Sequence, residues 1–149
     1  MKNIRETLIG LLIEGNCAPL INVLARKSKE PASTIHYNTK KLEQDGEIIA
    51  YKAVFAYKKI GMGFCSYVLV NLTSDEYGTP DRIGNELAKL RQIESVDVVT
   101  GECELVLKVR TKDIDEYYEF VKTALSRKGI AKIKTMNSMK QLKTEFIKV

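Results

Sequence analysis

Residues 31–45 concentrate side chains that can grip a polyanion. If this run is helical, Ile35, Thr39 and Leu42 share one side, so Ser33, Tyr37, Lys40 and Gln44 project from the other, flanked by Thr34, His36 and Lys41. Hydroxyls and lysines hold phosphate oxygens. His36, Lys40 and Gln44 can reach base edges, and Tyr37 can do either or lie on a sugar. Taken alone, this face is equally well read as a solvated polar surface, so its meaning depends on the elements around it.

Enzymatic chemistry finds little to work with. His36 is the only histidine, and there is no defensible Ser/His/Asp set, phosphate loop or dinucleotide fingerprint. Cys17, Cys65 and Cys103 are far apart and form no C-x-x-C pair, so they are expected to be reduced core thiols, with no metal and no cofactor. Three cysteines meeting in space is the one metal arrangement left open. The acid groups Asp75/Glu76 and Asp113/Asp115/Glu116 lie beside expected helix starts, where carboxylates favour the helix dipole. A non-enzymatic protein is expected.

The 149 residues carry a net charge of +5, unevenly distributed. Lys and Arg against Asp and Glu number 10 to 6 in residues 1–61, 6 to 12 in 62–121, and 8 to 1 in 122–149. A basic N-terminal segment suits a polyanionic partner, because neutralising phosphates releases condensed counterions. The C-terminal lysines and Arg127 could be a second such surface, pair with the acidic middle of a neighbouring subunit, or be ordinary solvated charge, the reading favoured. No apolar run approaches the ~18 residues of a membrane span, and the start lacks the order of a secretory signal, so a cytoplasmic protein without membrane contact is expected.

The elements that must position the polar face follow from apolar spacing. Ile4, Leu8, Leu11 and Leu12 predict a first helix that Gly15-Asn16 stops; Leu20, Val23 and Leu24 predict a short second one after Pro19. The third starts at Pro31 and ends at Asp45-Gly46, and Ile48 to Phe55 predict one or two strands. Three helices and a strand pair make a winged helix-turn-helix, whose third helix enters the major groove. A boundary is expected at Gly61-Met62-Gly63, giving domains 1–61 and 62–149.

Beyond it, Phe64 to Thr73 alternates as a strand, and Thr79-Pro80 signals a helix carrying Ile83, Leu87 and Leu90. Val96–Val99 and Leu105–Val109 predict a hairpin around Thr100-Gly101-Glu102. Asp113 and Glu116 cap a helix carrying Tyr117, Phe120, Val121 and Leu125 up to Gly129, and Ala131 to Leu142 can form a last strand. The order βαββαβ is that of a ferredoxin-like (RAM/ACT-like) domain, so the fold class is α+β. One sheet face would need a cover, most economically a second subunit.

The run from Ser33 to Ile49 resembles the recognition helix and wing of the Lrp/AsnC (feast/famine) regulators, with their S-T-V-x-x-R-I-x-x-L-E-x-x-G-x-I pattern. Val99-Thr100-Gly101-Glu102-Cys103-Glu104 resembles that family's V-x-G-x-x-D hairpin, and Thr135-Met136-Asn137-Ser138 its T-x-T-S stretch. This chain departs from the pattern at Lys29 (usually Gly), Thr39 (usually apolar), Glu104 (usually Asp) and Asn137 (usually Thr). The resemblance implies a sequence-specific DNA-binding transcriptional regulator that binds double-stranded DNA as a homodimer, commonly assembled four times into an octamer. It also implies an amino-acid effector bound between dimers near the hairpin, at Thr100, Gly101, Glu102, Glu104, Asn137 and Ser138. Backbone amides around Gly101 could hold a carboxylate, and Glu102, Glu104 or Asp97 an ammonium; a simple hairpin glycine with solvated acids is an equal reading. The alternative function is a ligand-binding or assembly protein whose N-terminal unit contacts proteins rather than DNA.

Overall fold

A computed structural model describes residues 3–143 and divides the chain into two compact units, the first ending at Val54 and the second starting at Phe55. The division falls seven residues before the expected Gly61/Met62 boundary. The reason is local: Tyr57–Ile60 form a 3-10 turn whose Tyr57 ring lies 3.8 Å from the Arg110 guanidinium, tying this stretch to the second unit.

The first unit holds three helices, α1 (Ile4–Ile13), α2 (Ile21–Ser28) and α3 (Ala32–Gln44). Asn3 caps α1 by accepting a hydrogen bond from the Arg5 amide. After α1, Gly15 is fixed at φ +89, and a Cβ there would meet the Tyr51 carbonyl at 3.0 Å. No residue of the three helices is fully buried, and Ile4, Leu8, Leu11 and Leu24 stay exposed. The strands expected in Ile48–Phe55 do not form: residues 49–56 have no regular structure, and Ile49 is 95% exposed. A strand needs a neighbouring strand for its backbone amides and carbonyls, and the ladders among the described residues join only β-strands of the second unit. Among the described residues no wing is formed.

The second unit comprises β1 (Phe64–Leu72), α4 (Pro80–Ala88), β2 (Ile93–Val98), β3 (Leu105–Thr111), α5 (Ile114–Phe120) and β4 (Ile130–Asn137). The strands form one antiparallel sheet in the order β2-β3-β1-β4. Alternation along β1 and β3 sends Val68, Val70, Leu72, Leu105, Leu107 and Val109 to the face that Ile83, Leu87, Tyr117 and Phe120 of the helices cover. The other face presents Tyr67, Leu69, Val106 and Met136, all partly or fully exposed.

Caps explain the helix positions. The Asp113 carboxylate accepts from the Glu116 amide at 2.9 Å, and the Glu116 carboxylate accepts from the Lys112 amide at 2.7 Å, a reciprocal pair shifted by one residue from the expected box. Thr79 makes no side-chain cap; Pro80, with its φ preset, starts α4 instead. Past α5 the chain widens into a π-type turn over Val121–Leu125 and leaves it through Gly129 at φ +95. A Cβ at Gly129 would stand 2.9 Å from Ile83 Cδ1, so glycine is required there twice over. Cys65 and Cys103 are buried and free, whereas Cys17 is only half-buried, against the expectation of a core thiol. Among the described residues no helix is long and apolar enough to cross a membrane, and no group of His, Cys, Asp and Glu is placed to hold a metal ion.

Candidate functional site

The polar surface of the first unit is held out by the turn between α2 and α3. Three residues, Lys29, Glu30 and Pro31, join the two helices, the spacing of a helix-turn-helix. Lys29 adopts φ +60, ψ 28, the left-handed conformation for which glycine is favoured. Its amide and that of Glu30 both donate to the Ala25 carbonyl, closing α2. The lysine thus makes a turn for which glycine is the ordinary residue, at a steric cost of order 1 kcal/mol. At the far end Gly46, at φ +74, and the Ile48 amide on the Leu42 carbonyl terminate α3.

On α3, Ile35 and Thr39 are half-buried, while Ser33, Thr34, His36, Tyr37, Lys40, Lys41 and Gln44 are all exposed, Tyr37 to 69%. Leu42, expected inward, is itself 39% exposed. The face is not electrostatically uniform. Lys40 Nζ donates to Glu43 at 2.7 Å, and the Tyr51 hydroxyl donates to the other Glu43 oxygen at 3.1 Å. The hydrogen bond from Lys40 holds the Glu43 carboxyl below the ordinary range, and the same bond raises Lys40. Lys41 has no such partner among the described residues. His36, Lys40, Glu43 and Tyr51 also border a cavity of about 390 Å³ against Pro19 and Ile21. Glu43 and Tyr51 were not singled out in the sequence; the i, i+3 spacing of Lys40 and Glu43 was the available signal.

In the second unit, Gly101 turns the β2–β3 connection at φ +117, and nothing lies within 4 Å of where its Cβ would be. The glycine answers a backbone angle, not a close approach. Thr100, Gly101 and Glu104 border a cavity of about 310 Å³ with Tyr77, Pro80, Val98, Val99 and Cys103. Glu104 is not idle: its carboxylate accepts from the Leu72 amide at 2.8 Å, and its own amide donates to the Val70 carbonyl. Glu102 is outside the cavity, its carboxylate 3.2 Å from Lys134 Nζ and its carbonyl accepting from Asn71.

Asn137 and Ser138 do not join them. Asn137 pairs with Ser66, and the Ser138 amide donates to Cys65, at the opposite end of β1 from the Val70 carbonyl that holds Glu104. Five residues of strand separate the two ends, roughly 17 Å. Near that second end lies a charged cluster that the sequence reading missed. Arg110, 4% exposed, and Lys108 both pair with Glu94, and Arg110 also donates to Gln141 at 3.0 Å. Burial opposes the Glu94 charge, but the hydrogen bonds from Arg110 and Lys108 outweigh it and hold the carboxyl below its ordinary value. Cations at alternate positions of an otherwise apolar strand, Val106-Lys108-Arg110, were the sequence signal.

A family model described as the Lrp/AsnC ligand binding domain matches residues 65–147. An uncharacterised HTH-type transcriptional regulator of Pyrococcus furiosus is 30% identical over 135 residues, covering 90% of each chain. Escherichia coli AsnC superposes with a TM-score of 0.72 at 19% identity, over 99% of this chain and 97% of that one. The feast or famine regulatory protein of M. tuberculosis, complexed with L-methionine, gives 0.74 at 17% identity over 97% and 95%. The Pyrococcus relatives are named transcriptional regulators. This chain belongs to the Lrp/AsnC family.

Proposed function

We propose that the protein is a sequence-specific DNA-binding transcriptional regulator, a dimer or a higher assembly of dimers, acting in the cytoplasm. The observation that carries this reading is the exposed hydrogen-bonding face of α3, presented by a three-residue turn after α2. Lys41 and the hydroxyls supply phosphate contacts; Gln44 and His36 reach base edges. The second unit is a ferredoxin-like domain whose open face, with Tyr67, Leu69, Val106 and Met136, suits sheet-on-sheet pairing with another copy. An amino acid or related small molecule binds at the hairpin cavity, its carboxylate on the amides about Gly101. With Glu104 already holding the Leu72 amide, ammonium recognition falls to its remaining oxygen or to groups from another copy, Asn137 and Ser138 included.

The test is fluorescence anisotropy on a DNA fragment from the protein's own upstream region across a salt series. Lys41→Ala should weaken binding and reduce the slope of log affinity against log salt by about one per reader helix. An unchanged affinity and slope would remove the regulator reading in favour of an N-terminal unit that contacts proteins.

A further inference from the structure

A cavity of about 380 Å³ in the second unit is separate from the hairpin cavity; Cys65 and Arg110 in its wall share a sheet face with Tyr67 and Val106. Its lining includes Tyr57, Lys58, Lys59, Arg110, Lys140 and Gln141. No described acidic residue borders it. Arg110 and Lys108 share the single carboxylate of Glu94, so the cluster beneath the cavity keeps one uncompensated positive charge. Lys58, Lys59 and Lys140 are exposed and form no ion pair with any described residue. Cys65, also in the wall, does not offset them: burial pushes its thiol up against the pull of Arg110, leaving it neutral near pH 7.

The guanidinium of Arg110 is fixed on all sides. The Tyr57 ring lies over it, Gln141 accepts from Nη2, the Met62 carbonyl accepts from Nη1 at 3.4 Å, and Glu94 holds Nε. A buried cation beside three exposed lysines makes a concave site that is single-signed among the described residues, and such a site concentrates the field and its counter-ions. Its volume lies in the range of small-molecule pockets. Three lysines with no ion pair to any described residue, together with a residual charge, exceed what one carboxylate would balance and favour a compact dianion.

We propose that this cavity is a second small-molecule site that takes a phosphorylated metabolite, its phosphate held by Lys58, Lys59 and Lys140 above Arg110. The inference stands on the cavity and its charges alone, and so survives or fails independently of DNA binding.

The experiment is titration calorimetry of the full chain without DNA, at fixed ionic strength, with inorganic phosphate and with acetate as the monoanion control. Thermal melts run in parallel. Saturable phosphate binding should appear, acetate should bind at least tenfold more weakly, and the Lys58→Gln/Lys140→Gln variant should lose at least tenfold in phosphate affinity. All three lysines are exposed, so the variant should melt within a few degrees of the parent in the absence of phosphate; if it does not, Lys59→Gln alone serves the same comparison. Equal response to acetate, no saturable binding, or phosphate affinity indifferent to the lysine substitutions would overturn the proposal.

Discussion

The sheet unit encloses Val68, Val70, Ile83, Leu87, Leu105, Leu107 and Val109 completely, whereas no described side chain of the three-helix unit is fully buried, and Ile4, Leu8 and Leu11 of α1 are exposed. The difference follows from geometry. Antiparallel pairing gathers distant segments, β1 with β4 and β3, into a broad surface that two helices can roof. Helices of ten, eight and thirteen residues are each near or below the length that is stable alone, and they leave too little shared area to seal an interior. The polar face of α3 thus rests on local devices, the Lys29 turn and the Gly46 stop, while the second unit rests on its core. One unit is tuned by its turns, the other by packing.

The sharpest way to break this contrast is truncation. Leu107→Ala should cost about 3 kcal/mol in denaturant unfolding of the second unit, as for a large buried side chain, while Leu11→Ala, 46% exposed, should change the stability of the monomeric chain by under ~1 kcal/mol. Similar losses at both sites would mean that α1 is packed in solution.

A smaller effect comes from the Glu94 cluster. Its carboxyl is depressed in the folded state, so its stabilising contribution is complete above the ordinary carboxylate value, about 4.3, and fades as pH falls through the lower folded one. Glu94→Gln should cost about 2 kcal/mol at pH 7 by stranding two cations, and should flatten the acid limb of the stability curve. An acid limb identical in the variant would assign the pH dependence elsewhere.

The smallest change expected is a gain. Lys29→Gly relieves the left-handed residue and should raise the stability of the helical unit by about 1 kcal/mol, less what the more flexible unfolded chain takes back. Amide hydrogen exchange across α2 and α3 would register it; slower exchange is expected, and faster exchange would show that the turn is not strained.

Much of this organisation was legible in the residues. Ile83 and Leu87, or Tyr117 and Phe120, announce their helices because a buried stripe repeats with the helical period, and β1 announces itself by alternation. The failures share another cause. Ile48 to Phe55 has the composition of a strand, but composition carries no information about whether a neighbour exists to accept its hydrogen bonds. The unit boundary was misjudged because Tyr57's attachment to Arg110 spans 53 residues, and no local pattern encodes such a contact. The outward side of α3 followed from helical angles, yet the Lys40–Glu43–Tyr51 chain needed coordinates, since Tyr51 lies beyond the end of that helix.

Thr100 and Gly101 at one end of β1, and Asn137 and Ser138 at the other, cannot reach a single small molecule within one protomer. A pocket completed by both pairs would exist only where two copies meet, so ligand affinity would become a function of protein concentration. Below the assembly threshold the protein would be blind to its signal, and the cell could set sensitivity by how many copies it makes.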